Sequence, residues 1–260
     1  MTTASKRSDP TRPWPQFLYD LYEWCFWEPR RIGRLPDPES KGFAHYAGRL
    51  RATEEPLNHI LRLFMALAPD EVARRLAEAA GLTAMQDHYA LRGRDFLLRY
   101  DLPVNSTQPD FVFDGQHSVL SVEMKLAART DAVQLAKYLW LHSRIEAGST
   151  TPRRHAMIYL GPADFASLWP DRQALSPATR LAQAMEALPA RIGRERVAVK
   201  REPVERIARH FALGFLSYRD LDEVLTGMRA DISGTGWEAG AARTLIDGLR
   251  AELDQRGLVQ

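Results

Sequence analysis

The stretch Phe111 to Met124, reading FVFDGQHSVLSVEM, restricts the fold of this 260-residue chain more than any other part of it. Two apolar segments flank Asp114-Gly115, a dipeptide suited to the tight turn of a β-hairpin. Strands over Asp110 to Phe113 and Ser118 to Leu126 must then lie side by side and antiparallel, which excludes an all-helical fold. A further strand is expected over Arg94 to Leu102, and another over Arg154 to Leu160, closed by Gly161-Pro162.

Helical periodicity surrounds these strands. Thr53 caps a helix with Leu57, Ile60, Leu61, Phe64 and Ala68 on one face, ending near Pro69. A second helix, Glu71 to Ala80, stops at Gly81. Thr130 or Asp131 caps a third that runs to about Ala147. The order helix, three strands, helix, strand predicts an α/β layer with helices packed on a mixed sheet. From Ser176 onward the chain reads as mostly helical, apart from a strand over Phe211 to Leu216 and a helix capped by Ser217.

Four segments follow from this reading. Residues 1–13 are expected to be a flexible tail. Residues 14–52 form a helical segment packed on the core, since Trp14, Phe17, Tyr19, Tyr22, Trp24, Phe26 and Trp27 crowd its start. Residues 53–225 make the core, and residues 226–260 a helical appendage. No apolar run approaches the roughly 18 residues of a membrane span. The start lacks the apolar block of a secretory signal, and the single cysteine, Cys25, can form no internal disulfide. The expected setting is the cytoplasm, without a membrane.

The chemistry gathers at the hairpin. Glu123 and Lys125 are two residues apart on a strand and so share a face, with Val122 and Met124 on the other. The turn brings Asp110 back alongside, within metal-bridging reach of Glu123. Two carboxylates and a backbone carbonyl, that of Met124, make an oxygen-only site suited to Mg²⁺. A water deprotonated with help from Lys125 would attack phosphorus in line. A bare Glu-x-Lys arises by chance about once in a chain of this length. Pro36-Asp37 followed by Glu39-Ser40-Lys41 carries the same letters in a proline-rich loop with no strand to orient it. The bland alternative at 109 to 125 is a cross-strand ion pair on a half-exposed sheet.

Pro109-Asp110, Glu123-Met124-Lys125 and Gln134-x-x-x-Tyr138 resemble the motif of the PD-(D/E)xK superfamily of restriction-endonuclease-like nucleases. The resemblance covers about residues 53 to 162. It implies an α-β-β-β-α-β core with a mixed central sheet flanked by helices, with helical additions at both ends. It also implies a Mg²⁺-dependent nuclease, with Mn²⁺ able to substitute, acting on nucleic acid and on DNA more often than RNA, in restriction, repair or phage defence. The residues it marks are Asp110, Glu123 and Lys125, with Gln134 and Tyr138 on the following helix. Glu54 is a weaker match, as the acid that the preceding helix often supplies near the metal. Whether such a protein works alone, as a homodimer or with a partner protein stays open. So does a catalytically inactive relative that binds nucleic acid or serves as a scaffold.

The net charge of +2 is too small to mark a nucleic-acid binder by itself. Arginines cluster, however, at Arg30, Arg31, Arg34, Arg49 and Arg51 and again from Arg191 to Arg209. Arg201 and Arg209 are the candidate phosphate contacts, the alternative being a solvated helix face. The seven histidines are scattered without zinc spacing and are expected to be surface or packed residues.

Overall fold

The computed structural model describes residues 54–82, 85–92, 100, 102–103, 106–126 and 128–259. Helix α1 (Glu54–Leu67) buries Leu57, Ile60, Leu61 and Phe64, as its periodicity requires; Ala68, expected on that face, is exposed just beyond the helix end. Helix α2 (Pro69–Ala79) starts on a proline, tolerated there because the first helical N–H has no partner within the helix. It ends where Gly81, at φ +69°, lets the Leu82 N–H turn back to the Ala77 carbonyl at 2.8 Å.

Three antiparallel strands follow: β1 (Ala90–Arg92), β2 (Phe111–Asp114) and β3 (Ser118–Met124). The strand expected over 94 to 102 falls almost wholly outside the described residues; the described neighbour of β2 is β1. Helix α3 (Ala132–Ala147) leads to β4 (Arg154–Gly161), which lies parallel to β3. Then come α4 (Pro177–Glu186), a small ribbon of β5 (Arg191–Ile192) and β6 (Val197–Ala198), and α5 (Arg201–Ala208). Strand β7 (Ala212–Ser217) joins β4 in parallel as a fifth strand. The order across the sheet is β1-β2-β3-β4-β7. The fold is therefore α/β, built on a mixed five-stranded sheet.

Alternation decides what each sheet face meets. Val112, Val119, Met157, Tyr159 and Leu213 share the face covered by α3, where they meet Leu135, Leu139 and Ile145. Trp169 and Phe211 extend that core. Arg180 lies over the Trp169 ring at 4.3 Å and pairs with Asp171 at 2.8 Å.

The chain divides into two units, residues 65–221 and residues 1–64 with 222–260. In the second of these, α7 (Trp237–Gln255) is tied to the part of α6 (Tyr218–Asp231) from Asp222 onward, by Arg250 to Asp222 and Arg229 to Asp247. The aromatic segment 14–52, the first arginine cluster and the tail lie outside the described residues. Among the described residues no helix is long and apolar enough to cross a membrane.

The turn of the hairpin is held from outside. Asp87 accepts from the N–H groups of His117 at 2.6 Å and Ser118 at 2.9 Å, and a Cβ at Gly115 would stand 2.3 Å from its Oδ2. Asp87→Ala and Gly115→Ala are each expected to cost about 1–2 kcal/mol in urea denaturation. Because both disturb the same contact, the double variant should cost less than the two together. Additive losses would mean that the carboxylate does not clamp this turn.

Candidate active site

All seven residues of β3 are buried, since the strand has neighbours on both edges and cover on both faces. The Lys125 N–H continues the parallel ladder past the strand end, donating to the Leu160 carbonyl at 2.8 Å. Phe111 pairs with Val122, so Asp110, one step earlier, stands level with Glu123. Its Oδ2 accepts from the Met124 N–H at 2.7 Å. Glu123 and Lys125 point the same way, with Nζ 2.8 Å from Oε1.

Helix α3 adds the next contact. Asp131 accepts from the Gln134 N–H at 2.7 Å and so starts the helix one turn from the strand end. The Gln134 side chain then reaches back, its Nε2 donating to Glu123 Oε1 at 3.2 Å and to the Tyr138 hydroxyl at 3.1 Å. Asp110, Glu123, Lys125, Gln134 and Tyr138 are thus brought together in one place.

Burial changes what the pair is. Spacing alone allowed an ion pair on a half-exposed sheet, but Glu123 is 5% and Lys125 7% exposed. Burial, followed by the nearby Asp110 carboxylate, pushes the Glu123 carboxyl up to about 7 against the pull of Lys125. Tyr138, buried beside it, is held well above the usual phenol range, by burial first and Glu123 second. Glu123 Oε1 takes both donors, while Oε2 is buried without a hydrogen-bond partner. Such an atom costs roughly 1–3 kcal/mol unless something meets it.

Mg²⁺ fits this donor set. It binds hard oxygen, is commonly held by one or two carboxylates, and keeps waters for its other positions. Glu123 Oε2 and the neighbouring Asp110 carboxylate are the groups that would hold it, with the Met124 carbonyl at the same strand end. Among the described residues no group of three or more His, Cys, Asp or Glu is placed to hold a metal. Glu54, the expected third acid, is half-buried at the start of α1 and belongs to the unit of residues 1–64 and 222–260.

The arginines stand apart. Arg201 is exposed and paired along its own helix with Glu205 at 2.7 Å. Arg209, also exposed, ends α5 just before β7, whose first residues pair with the beginning of β4, the sheet end away from Glu123. Two members of the constellation were not singled out from sequence. Thr130 Oγ1 donates to Gln134 Oε1 at 3.0 Å, and Thr130 and Tyr159 share a hydroxyl contact at 3.0 Å. Only the parallel register of β4, which sets Tyr159 beside Glu123, exposes the second of them.

No family model matches the chain, and no curated protein or solved structure matches it significantly.

The raised Glu123 carboxyl predicts a pH signature. An unfolded glutamate releases its proton near 4.5 and this one near 7, so the folded state binds more protons in between. Stability contributed by this group falls as pH rises through that window and levels off above it. A divalent ion needs the ionised carboxylate, so Mn²⁺ should raise the melting temperature more at pH 8 than at pH 5.5. Burial holds His142 and His155 below the usual 6.5, which bends the profile the other way, but with and without metal alike. An equal metal-induced shift at both pH values would separate Glu123 from the ion.

Proposed function

We propose that this chain is a Mg²⁺-dependent phosphodiesterase acting on nucleic acid, DNA more than RNA, with a restriction-endonuclease-like core. The observation that carries the reading is the buried Glu123 carboxylate, with Lys125 Nζ on one oxygen and no partner on the other, level with Asp110 at the end of β3. The element order α2, β1, β2, β3, α3, β4 on a mixed sheet supports the core named by the resemblance. So does Gln134 on Glu123, with Tyr138 one turn on.

Each residue has a task in this chemistry. A Mg²⁺ held by Asp110 and Glu123 would supply Lewis-acid chemistry for phosphodiester hydrolysis. Asp110 and Glu123 hold and orient the charge at the strand end, on backbone that two neighbouring strands keep rigid. Lys125 Nζ places a positive charge beside the reacting phosphate, where negative charge grows in the transition state, and can hold a proton there. Gln134 fixes the Glu123 carboxylate by Oε1 and leaves Oε2 without a hydrogen-bond partner. Arg201 and Arg209 would contribute a salt-dependent attraction for a phosphate backbone rather than chemistry.

The test is cleavage of plasmid and single-stranded DNA by the purified chain, with Mg²⁺ and with EDTA. Glu123→Gln should abolish Mg²⁺-dependent cutting. Lys125→Met should lower turnover by about 10² to 10⁴ while leaving DNA binding intact, the scale of one electrostatic or acid–base group. Its thermal unfolding should remain cooperative, because the Glu123 carboxyl can take up a proton when its partner is lost. Lys125→Met cutting at the wild-type rate would remove residues 109 to 125 as the reactive centre. DNA binding without cleavage by the wild-type chain would favour a binding or scaffold role.

A further inference from the structure

The amide of a glutamine has a donor end and an acceptor end, and which end meets Glu123 decides whether Gln134 supports or repels the carboxylate. Gln134 contacts the site through Nε2, using one N–H for Glu123 Oε1 at 3.2 Å and Tyr138 for the other at 3.1 Å. Its Oε1 is taken by the Thr130 hydroxyl at 3.0 Å. A threonine has one hydroxyl proton. If Thr130 spends it on Gln134, its contact with Tyr159 at 3.0 Å must be accepted from the Tyr159 O–H. Tyr159 is wholly buried, and burial holds its phenol well above the usual range, so it stays a donor. The direction is then fixed along the row: Tyr159 to Thr130, Thr130 to Gln134, Gln134 to Glu123.

Thr130 is itself anchored through its backbone. Its N–H donates to the Leu168 carbonyl at 2.8 Å, and its side chain is 1% exposed. It lies between the end of β3 and the Asp131 cap of α3, the one stretch of chain that links the two halves of the site. Resting on the proposed metal reading, we infer that Thr130 is a positioning residue, backed by Tyr159, that locks the Gln134 amide so that Glu123 offers Oε2 to a divalent cation. Without the hydroxyl, the amide can turn its oxygen toward the carboxylate. Second partners of metal-binding carboxylates commonly carry a 10- to 100-fold effect on affinity.

The experiment uses the full chain with Mn²⁺ alone as the probe, compared across wild type, Thr130→Val, Thr130→Ser and Tyr159→Phe. Thr130→Val keeps the branched shape and removes the hydroxyl. Mn²⁺ affinity by calorimetry should fall about 10-fold or more in Thr130→Val, return to within about 3-fold of wild type in Thr130→Ser, and fall less in Tyr159→Phe. The second readout is the Gln134 side-chain NH₂ in ¹H–¹⁵N spectra of the metal-free protein. Its two protons should be distinct and protected from solvent exchange in wild type and Thr130→Ser, and should lose that protection in Thr130→Val. A merely structural threonine would lower the melting temperature and leave this signature unchanged. Thr130→Val with wild-type affinity, or with weakened affinity and an unchanged Gln134 amide, would overturn the inference. A wild-type chain that binds no Mn²⁺ would instead overturn the metal reading. The Thr130 lock would then be decided by the amide signature, and an unaltered amide in Thr130→Val would refute it.

Discussion

Everything near the site depends on β3 being a strand with no exposed edge and no exposed face. Antiparallel β2 and parallel β4 take its backbone groups, and its residues of both parities are covered. A strand so placed normally carries an unbroken apolar run. This one has Ser121, Glu123 and, one step beyond, Lys125 on the face toward α3. Each polar group there must find its partner inside the protein, since water is excluded. The Lys125–Glu123 contact, Gln134 reaching across from α3 and the turn of Asp110 toward Met124 are the solutions the fold adopts at that end.

Much of this arrangement could be read from sequence because it rests on short-range rules. Period-two alternation placed β2 and β3 within a residue or two, and the spacing of Glu123 and Lys125 put them on one face; the turn expected at Asp114-Gly115 falls later, since Asp114 pairs with Val119 and the Gly115 N–H donates to the Ser118 carbonyl at 2.9 Å. Asp131 caps α3 as one of two candidates, and Thr130, the other, proves to be occupied with Gln134 instead. What could not be read depends on contacts distant in sequence. The two-residue strands β5 and β6 carry no periodicity to detect. Strand β1 (Ala90–Arg92) is tied to β2 by the Arg92 guanidinium on Asp114, 22 residues away. Nor does a sequence show burial: Glu123 and Lys125 would read the same on an exposed sheet, where their pairing would matter little.

The site residues divide along the same line. Gln134 and Tyr138 were legible through their i, i+4 spacing on a helix that follows the strand. Tyr159 was not, because it reads as one more apolar position in β4 until the parallel register sets it beside Glu123. For Glu54 the apolar stripe of its helix gives a face, and a helix face specifies only a direction.

The same sheet face carries another buried polar row. Ser121 touches His142 Nε2 at 2.8 Å, His142 Nδ1 touches His155 Nδ1 at 2.9 Å, and His155 Nε2 meets Glu146 at 2.9 Å. Burial disfavours the charged form of both imidazoles, and a carboxylate oxygen accepts. His155 therefore donates from Nε2 and accepts at Nδ1 from His142, whose Nε2 accepts from the Ser121 hydroxyl. All the hydrogen bonds in this row run one way, and none of its polar side-chain atoms is left without a partner. Two residues along β3 a second row, from Tyr159 through Thr130 and Gln134, ends in Glu123, where one oxygen takes two donors and the other has no hydrogen-bond partner. Trp169 Nε1 and Arg180 Nε are likewise buried without a hydrogen-bond partner, so an open atom alone does not mark a site. What distinguishes Glu123 is the company it keeps at the strand end, a lysine on its other oxygen and the Asp110 carboxylate level with it, where the proposed cation would sit.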